Sequence, residues 1–193
     1  MDNAPDWLSR GISGMLSGTV IKGRKVLFPP TLYQRIAVAK LKKKGGFRNG
    51  SLKNLRDLMS LTGKEYYDLE KKNKDAGITE QFAYVLRFLE GRGRRHKVFG
   101  GKDFLVEYCR AATASYEKYK EDNPTAFSGS SKEATTEEEE EEQAAKSRAR
   151  SERYSKERAK RDRAVLDLVN GKACNWSDKE WKSLNKAYAR TVK

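Results

Sequence analysis

From Glu137 to Ala164 the chain runs through 28 residues without one Leu, Ile or Val. Such a segment has no apolar stripe to bury, which argues against a coiled coil. It opens on six consecutive glutamates, Glu137–Glu142, and continues as a mixture of Ala, Ser, Arg, Lys and Glu. Glu142 with Lys146, Glu152 with Lys156 and Glu157 with Arg161 are spaced i to i+4 in the favourable order, each contributing about 0.2–0.5 kcal/mol to a helix. The acids also stand at the N-terminal end, where the helix dipole favours them. The expectation is a solvated, charged helix over 137–169, stopped by Asn170-Gly171.

Because that segment cannot be interior, the rest must supply the core. Only 37% of the 193 residues are hydrophobic and 35% are charged, away from the ~45–50% and ~25% of ordinary globular chains. The stretch NPTAFSGSSKEATT, within 123–136, is poor in aliphatics and reads as a flexible linker. Upstream of it the sequence predicts a mainly α fold, with a small helical domain over 31–122. Residues 1–30, broken by Gly11, Gly14, Gly18, Gly23, Pro29 and Pro30, read as an irregular basic arm. Thr19-Val20-Ile21 and Val26-Leu27-Phe28, either side of Lys22-Gly23-Arg24-Lys25, suit two short strands of a hairpin within that arm.

Inside the domain, hydrophobic spacing and cap residues divide the chain into five helices. The first runs from a Thr31 cap to Lys44 with Leu32, Ile36, Val38, Ala39 and Leu41 near one face, stopped by Gly45-Gly46. Ser51 is expected to cap a second, bearing Leu52, Leu55, Leu58 and Met59. A third follows Gly63 from Lys64 to about Lys74. Thr79 caps a fourth with Phe82, Val85, Leu86 and Leu89 buried, closed by Gly91. The fifth spans Asp103 to about Lys120. Beyond the charged helix, residues 170–193 carry a capping box, Ser177 with Glu180, and a Trp176–Trp181 staple. Trp181, Leu184, Tyr188 and Val192 share a face that could close a helical hairpin with Val165, Leu166, Leu168 and Val169.

The charge points to a class of partner. Lys and Arg number 41 against 27 Asp and Glu, a net +14, which favours polyanions, nucleic acid before anionic membrane. It is also uneven: +10 over 1–64, −2 over 65–91, +4 over 92–110, −7 over 111–143 and +9 over 144–193. Two segments interleave cations with glycine and a ring. One holds Lys40, Lys42, Lys43, Lys44, Phe47 and Arg48; the other holds Arg92, Arg94, Arg95, Lys97, Phe99 and Lys102. Cations neutralise phosphate, glycine lets backbone amides approach, and an exposed ring stacks on a base. The competing reading is that Phe47 and Phe99 tuck into the core.

A third basic series, Lys146, Arg148, Arg150, Arg153, Lys156, Arg158, Lys160, Arg161 and Arg163, could lie along a phosphate backbone, serve as a nuclear import signal or form a solvated face. The stretch Ser51–Asp75 has a helix-turn-helix outline, but its second helix mixes Glu65, Asp68 and Glu70 with Lys64, Lys71 and Lys72, and a DNA reader would be more basic. Trp176, Trp181, Leu184 and Tyr188 are candidates for protein contact.

Catalytic readings find little. Gly63-Lys64 is followed by Glu65 with no glycine five residues earlier, so the phosphate-loop pattern fails. His96 stands among cations, and neither Cys109 nor Cys174 has a histidine nearby in sequence. One histidine and two cysteines exclude zinc sites of the Cys and His type and disfavour a disulfide framework. No cofactor or metal is expected, no stretch is long enough to span a bilayer, and the N-terminus lacks the pattern of a secretory signal. The expectation is an intracellular protein, cytoplasmic, nuclear or carried in a virion. It is read as non-enzymatic, RNA-binding rather than DNA-binding, sequence-tolerant and self-associating. In size, charge and layout the chain resembles small viral nucleocapsid or capsid proteins in general character. The alternatives are an adaptor that binds a protein through its C-terminal aromatic helix, and a helix-turn-helix regulator.

Overall fold

A computed structural model describes residues 5–73, 77–124 and 137–192, with the side chains of 137–151, 153 and 154 left aside. Among the described residues the fold is mainly helical, with one two-stranded sheet. The expected linker, 123–136, lies almost wholly outside the described residues.

The arm at 1–30 is where the structure departs furthest from expectation, because Gly11 and Gly14 are contact points rather than breaks. Asp6–Leu16 is a helix, α1, with Trp7, Leu8 and Gly11 buried. It lies along a central helix, Ile78–Glu90, in which nine of thirteen residues are buried. A Cβ at Gly11 would sit 2.9 Å from the Phe82 carbonyl oxygen, and one at Gly14 would sit 3.0 Å from the Ala83 Cβ. Glycine there lets two helix backbones meet, and tertiary packing overrides its low helix propensity. The expected hairpin does form: β1 (Val20–Lys22) pairs antiparallel with β2 (Lys25–Leu27), Val20 opposite Leu27 and Ile21 opposite Val26. Gly23 takes φ +59° in its turn.

α2 (Leu32–Lys43) begins as expected, at a Thr31 capping box completed by Gln34. Its buried face is different, however: Gln34, Val38 and Leu41 point inward, while Leu32 and Ile36 stand in solvent. α3 is only Leu55–Met59, capped by Asn54 and not by Ser51. Its start is displaced because Gln81 Oε1 and Asn185 Oδ1 accept the backbone N–H groups of Lys53 and Leu55, at 2.8 and 2.9 Å. α4 (Gly63–Lys72) carries a second capping box, Thr62 with Glu65. The central helix, α5, starts at Gly77 in the left-handed region rather than at Thr79, whose hydroxyl instead meets the Tyr66 hydroxyl at 2.9 Å. Gly91 closes α5 as expected.

After two single-turn 3-10 segments, Gly93–Arg95 and Lys97–Phe99, α6 runs Phe104–Asp122 from an Asp103 cap. α7 (Glu137–Ala173) does not stop at Asn170-Gly171. Asn170 is held inside the helix by tertiary partners: it accepts from the Tyr108 hydroxyl at 3.0 Å and donates to the Met59 carbonyl at 3.4 Å. Tyr108 in turn accepts from Trp7 Nε1 at 3.1 Å, so one buried chain of hydrogen bonds ties α1, α6 and α7 together.

α8 (Asp178–Val192) starts at the expected box, with Glu180 Oε2 2.8 Å from both the Ser177 N and Oγ. The expected hairpin of α7 on α8 is replaced by α7 on α6 and α8 on α3 and α5. Trp181, Leu184, Tyr188 and Val192 belong to the same buried cluster as Trp7, Phe82 and Phe88. The apolar face of α8 is therefore part of the core, because the buried Trp181, Leu184, Tyr188 and Val192 contribute far more when shared with α5 than in a small hairpin alone.

Candidate nucleic-acid interface

Lys40, Lys42 and Lys43 occupy the last turn of α2 and Lys44 is its C-cap, all exposed. The chain then turns through Gly45, Gly46 and Gly50 at φ +102°, +58° and +76°, a region that L side chains avoid. This loop is closed on the helix end: Ser51 Oγ donates to the Lys44 carbonyl at 3.1 Å, and Asn49 Nδ2 donates to the same oxygen. Arg48 is exposed at its tip. Phe47 is 39% exposed, with its ring edge-on to Tyr188 of α8 at 6.2 Å between centroids.

The second basic segment is also seated on α8. Gly93 sits against Phe88, where a Cβ would come within 2.6 Å of the Phe88 carbonyl oxygen. His96 Nε2 lies 3.2 Å from Ser183 Oγ of α8, and its Nδ1 accepts from the Val98 N–H at 3.4 Å. Partial burial, with Lys97 beside it, lowers the His96 pKa and so favours the neutral ring. Arg92, Arg95, Lys97 and Lys102 are exposed, and Arg94 pairs with Asp103 at 3.2 Å. Phe99 follows the competing reading: it is 6% exposed and stacked on Phe104 at 4.9 Å.

The sequence reading missed what joins these segments. α8 presents Lys179, Lys182, Lys186 and Arg190 at i, i+3, i+7 and i+11, all exposed, opposite the buried Trp181, Leu184, Tyr188 and Val192. That helical spacing of cations is visible in the sequence, on the face opposite the apolar residues of the same helix. The helix carrying this stripe touches Phe47 of one basic loop and His96 of the other. Two cationic loops far apart in the chain thus rest on one helix, Phe47 at Tyr188 on its buried side and His96 at Ser183 beside the cation stripe.

Beside the second loop, Lys102, Arg110 and Lys172 border a cleft of about 630 Å³ whose lining includes Phe99, Phe104 and Trp176. Arg110 is held by Glu107 at 2.8 Å. Trp176 is half-buried, and it alone of the four candidate protein-contact residues reaches that cleft. Trp181, Leu184 and Tyr188 are 6%, 0% and 1% exposed, and the fold uses them as its own interior.

The third basic series is divided. Arg150 and Arg153 lie outside the described side chains. Arg158 is exposed, 3.7 Å from Asp162, while Arg161 is partly buried and 3.2 Å from the same carboxylate. Arg163 is committed to the fold, donating to the Ser60 carbonyl at 3.0 Å and pairing with Glu65. Glu65 is thereby occupied, Tyr66 is buried and Arg10 covers the Tyr66 ring at 4.2 Å. These contacts engage much of α4, and α3 before it is a helix of five residues.

Among the described residues no three His, Cys, Asp or Glu side chains converge as metal ligands, and no helix is long and apolar enough to cross a membrane. Cys109 is exposed and Cys174 buried, both free. No protein family, curated protein or solved structure was found to match this chain.

Proposed function

We propose that this is a non-enzymatic, sequence-tolerant RNA-binding protein with a packaging role of the nucleocapsid or capsid kind. The observation that carries the reading is the junction at α8, where Phe47 and His96 bring both basic loops against a helix bearing its own line of four cations. Such a surface neutralises phosphates without reading base edges, the chemistry of sequence-tolerant binding. The exposed part of the Phe47 ring offers a stacking surface to an unpaired base, which favours single-stranded RNA over duplex DNA. Packaging further implies self-association, inside the cell and then within a particle.

The test is binding of the full chain to labelled single-stranded RNA and to duplex DNA of matched length across a salt series, with sedimentation alongside. Each phosphate contact contributes about 0.7 to the logarithmic salt slope for a single strand. Lys182→Glu with Lys186→Glu should therefore reduce the slope by about 1.4 while leaving the fold intact, since both side chains are exposed. Arg92→Glu with Arg95→Glu should act alike. The proposal fails if RNA does not bind at physiological salt, or if binding is indifferent to both pairs.

A further inference from the structure

The apolar residues that the fold leaves uncovered are concentrated at one place in the chain. In the hairpin, Val20, Ile21, Val26 and Leu27 are 41%, 73%, 55% and 42% exposed. Five residues on, α2 turns Leu32, Tyr33 and Ile36 outward at 66%, 71% and 47%. Leu32, Ile36, Ala39 and Lys43 fall within about 60° of one another around that helix, so its most regular apolar stripe is the solvent face and it ends in lysine. Uncovered apolar surface on this scale marks a contact.

Loose attachment does not account for the exposure. Arg87 of α5 donates to the Phe28 carbonyl at 2.8 Å, the Pro29 carbonyl at 3.2 Å and Gln34 Oε1 at 2.9 Å. Gln34 Nε2 donates to the Gly14 carbonyl at 2.7 Å. The exit of the hairpin and the start of α2 are thus clamped to α5 and α1; in the hairpin Val20 and Leu27 share one face of the ribbon and Ile21 and Val26 the other, and all four are exposed.

Charge identifies what would cover them. From Trp7 to Arg56 the chain holds twelve Lys and Arg and no Asp or Glu. Lys22, Arg24 and Lys25 form the hairpin tip, and Arg35, Lys40 and Lys43 accompany the α2 stripe. Glu70 and Glu80 line a groove beside this part of α2 with Tyr33, Ile36 and Lys40. Glu70 is already engaged as acceptor for the Ile78 N–H at 2.9 Å. A second copy of the same face would oppose like charges with few acids to offset them. Nucleic acid would satisfy the cations, but aliphatic Val, Ile and Leu neither stack on bases nor bond to phosphate. An anionic lipid surface satisfies both: its headgroups take the cations, and its interfacial region takes the aliphatics.

We propose that the β1–β2 hairpin and the outward face of α2 dock this protein peripherally on anionic lipid bilayers, independently of the RNA-binding reading. The test is flotation of the full chain with phosphatidylcholine vesicles and with vesicles containing about 30% phosphatidylserine. Three proteins are compared: the natural chain, Ile21→Asp with Ile36→Asp, and Lys182→Glu with Lys186→Glu, each checked by circular dichroism melting. The expected result is flotation on the anionic vesicles only, part of it surviving 0.5 M salt. It should fall at least tenfold in the Ile21/Ile36 variant and change less than twofold in the α8 variant. Absence of flotation overturns the proposal, as does an equal loss in both variants, which would signify unspecific charge attraction. Vesicle binding left intact by Ile21→Asp with Ile36→Asp also overturns it; sedimentation and RNA titration of that variant would then assign the face to a second copy or to RNA.

Discussion

One chemical change, glycine to alanine, should act with opposite sign at two helical positions of this protein. Gly171 lies inside α7, exposed, with nothing within 4 Å of where a Cβ would stand. Gly171→Ala therefore gains only the lower backbone entropy of the unfolded chain and should stabilise by about 0.5–1 kcal/mol. At Gly11 the same gain is opposed by a Cβ placed 2.9 Å from the Phe82 carbonyl oxygen and 3.0 Å from Leu86 Cγ. The nearer atom is backbone of the central helix, which cannot rotate away, so α1 must lift off α5. Overpacking of this kind costs about 1–3 kcal/mol, and the net expectation for Gly11→Ala is a loss of about 1–2 kcal/mol. For a chain of this size each kcal/mol moves the melting temperature by about 2–4 °C. Urea unfolding followed by circular dichroism, with thermal melts in parallel, would read both variants. If Gly11→Ala stabilises as Gly171→Ala does, α1 does not pack on α5 at backbone distance and the architecture of the N-terminal region is mistaken.

Three other perturbations probe the remaining joints. Replacing Asn170 by Leu removes the acceptor of the Tyr108 hydroxyl and the donor to the Met59 carbonyl; urea unfolding should show a loss of about 1–3 kcal/mol. Burial works to raise the Glu65 pKa, yet hydrogen bonds from the Thr62 backbone and hydroxyl and from Arg163 hold it below the usual carboxylate value. Because the folded-state pKa is the lower one, the stability Glu65 contributes is present above the unfolded-state value and is lost as pH falls through the folded-state value. The difference in melting temperature between the natural chain and Glu65→Gln should accordingly be largest near neutral pH and shrink as pH falls below the usual carboxylate range. Cys109 is exposed while Cys174 is buried, so a thiol reagent should titrate one cysteine in the native protein and two in guanidinium. Its rate should climb steeply with pH, since partial burial, with Asp103 near, raises the Cys109 pKa.

Interactions confined to a few neighbouring residues were legible in advance. Thr31 caps α2, Ser177 reaches three residues to Glu180, and Gly91 ends α5. The turn of the hairpin at Gly23-Arg24 is of the same kind. The candidate interface was legible only as pieces: both basic loops could be named, but not that His96 and Phe47 rest on one helix. Phe99 and Phe47 had equal standing in sequence, each a ring beside glycine and cations. Their fates differ because Phe104 and Trp176 close over Phe99 while Phe47 meets only the edge of Tyr188 among the described ring contacts.

By itself, then, the sequence determined that this chain is mainly helical, where many of its helices begin and end, and that its surface is strongly cationic. Those properties follow from caps, turns and spacing within one or two helical turns, where the interacting groups are close however the rest of the chain is arranged. Tertiary structure decided that a glycine-bearing segment becomes α1, that α2 buries Gln34, Val38 and Leu41 and leaves Leu32 and Ile36 in solvent, and that α7 passes through Asn170-Gly171. It also decided that the C-terminal aromatics are core. Each of those outcomes depends on a partner some 20 to 130 residues away, such as Gly14 for Gln34 or Asn185 for Leu55. Periodicity marks that a face is apolar, but only the elements present in space determine which face they cover.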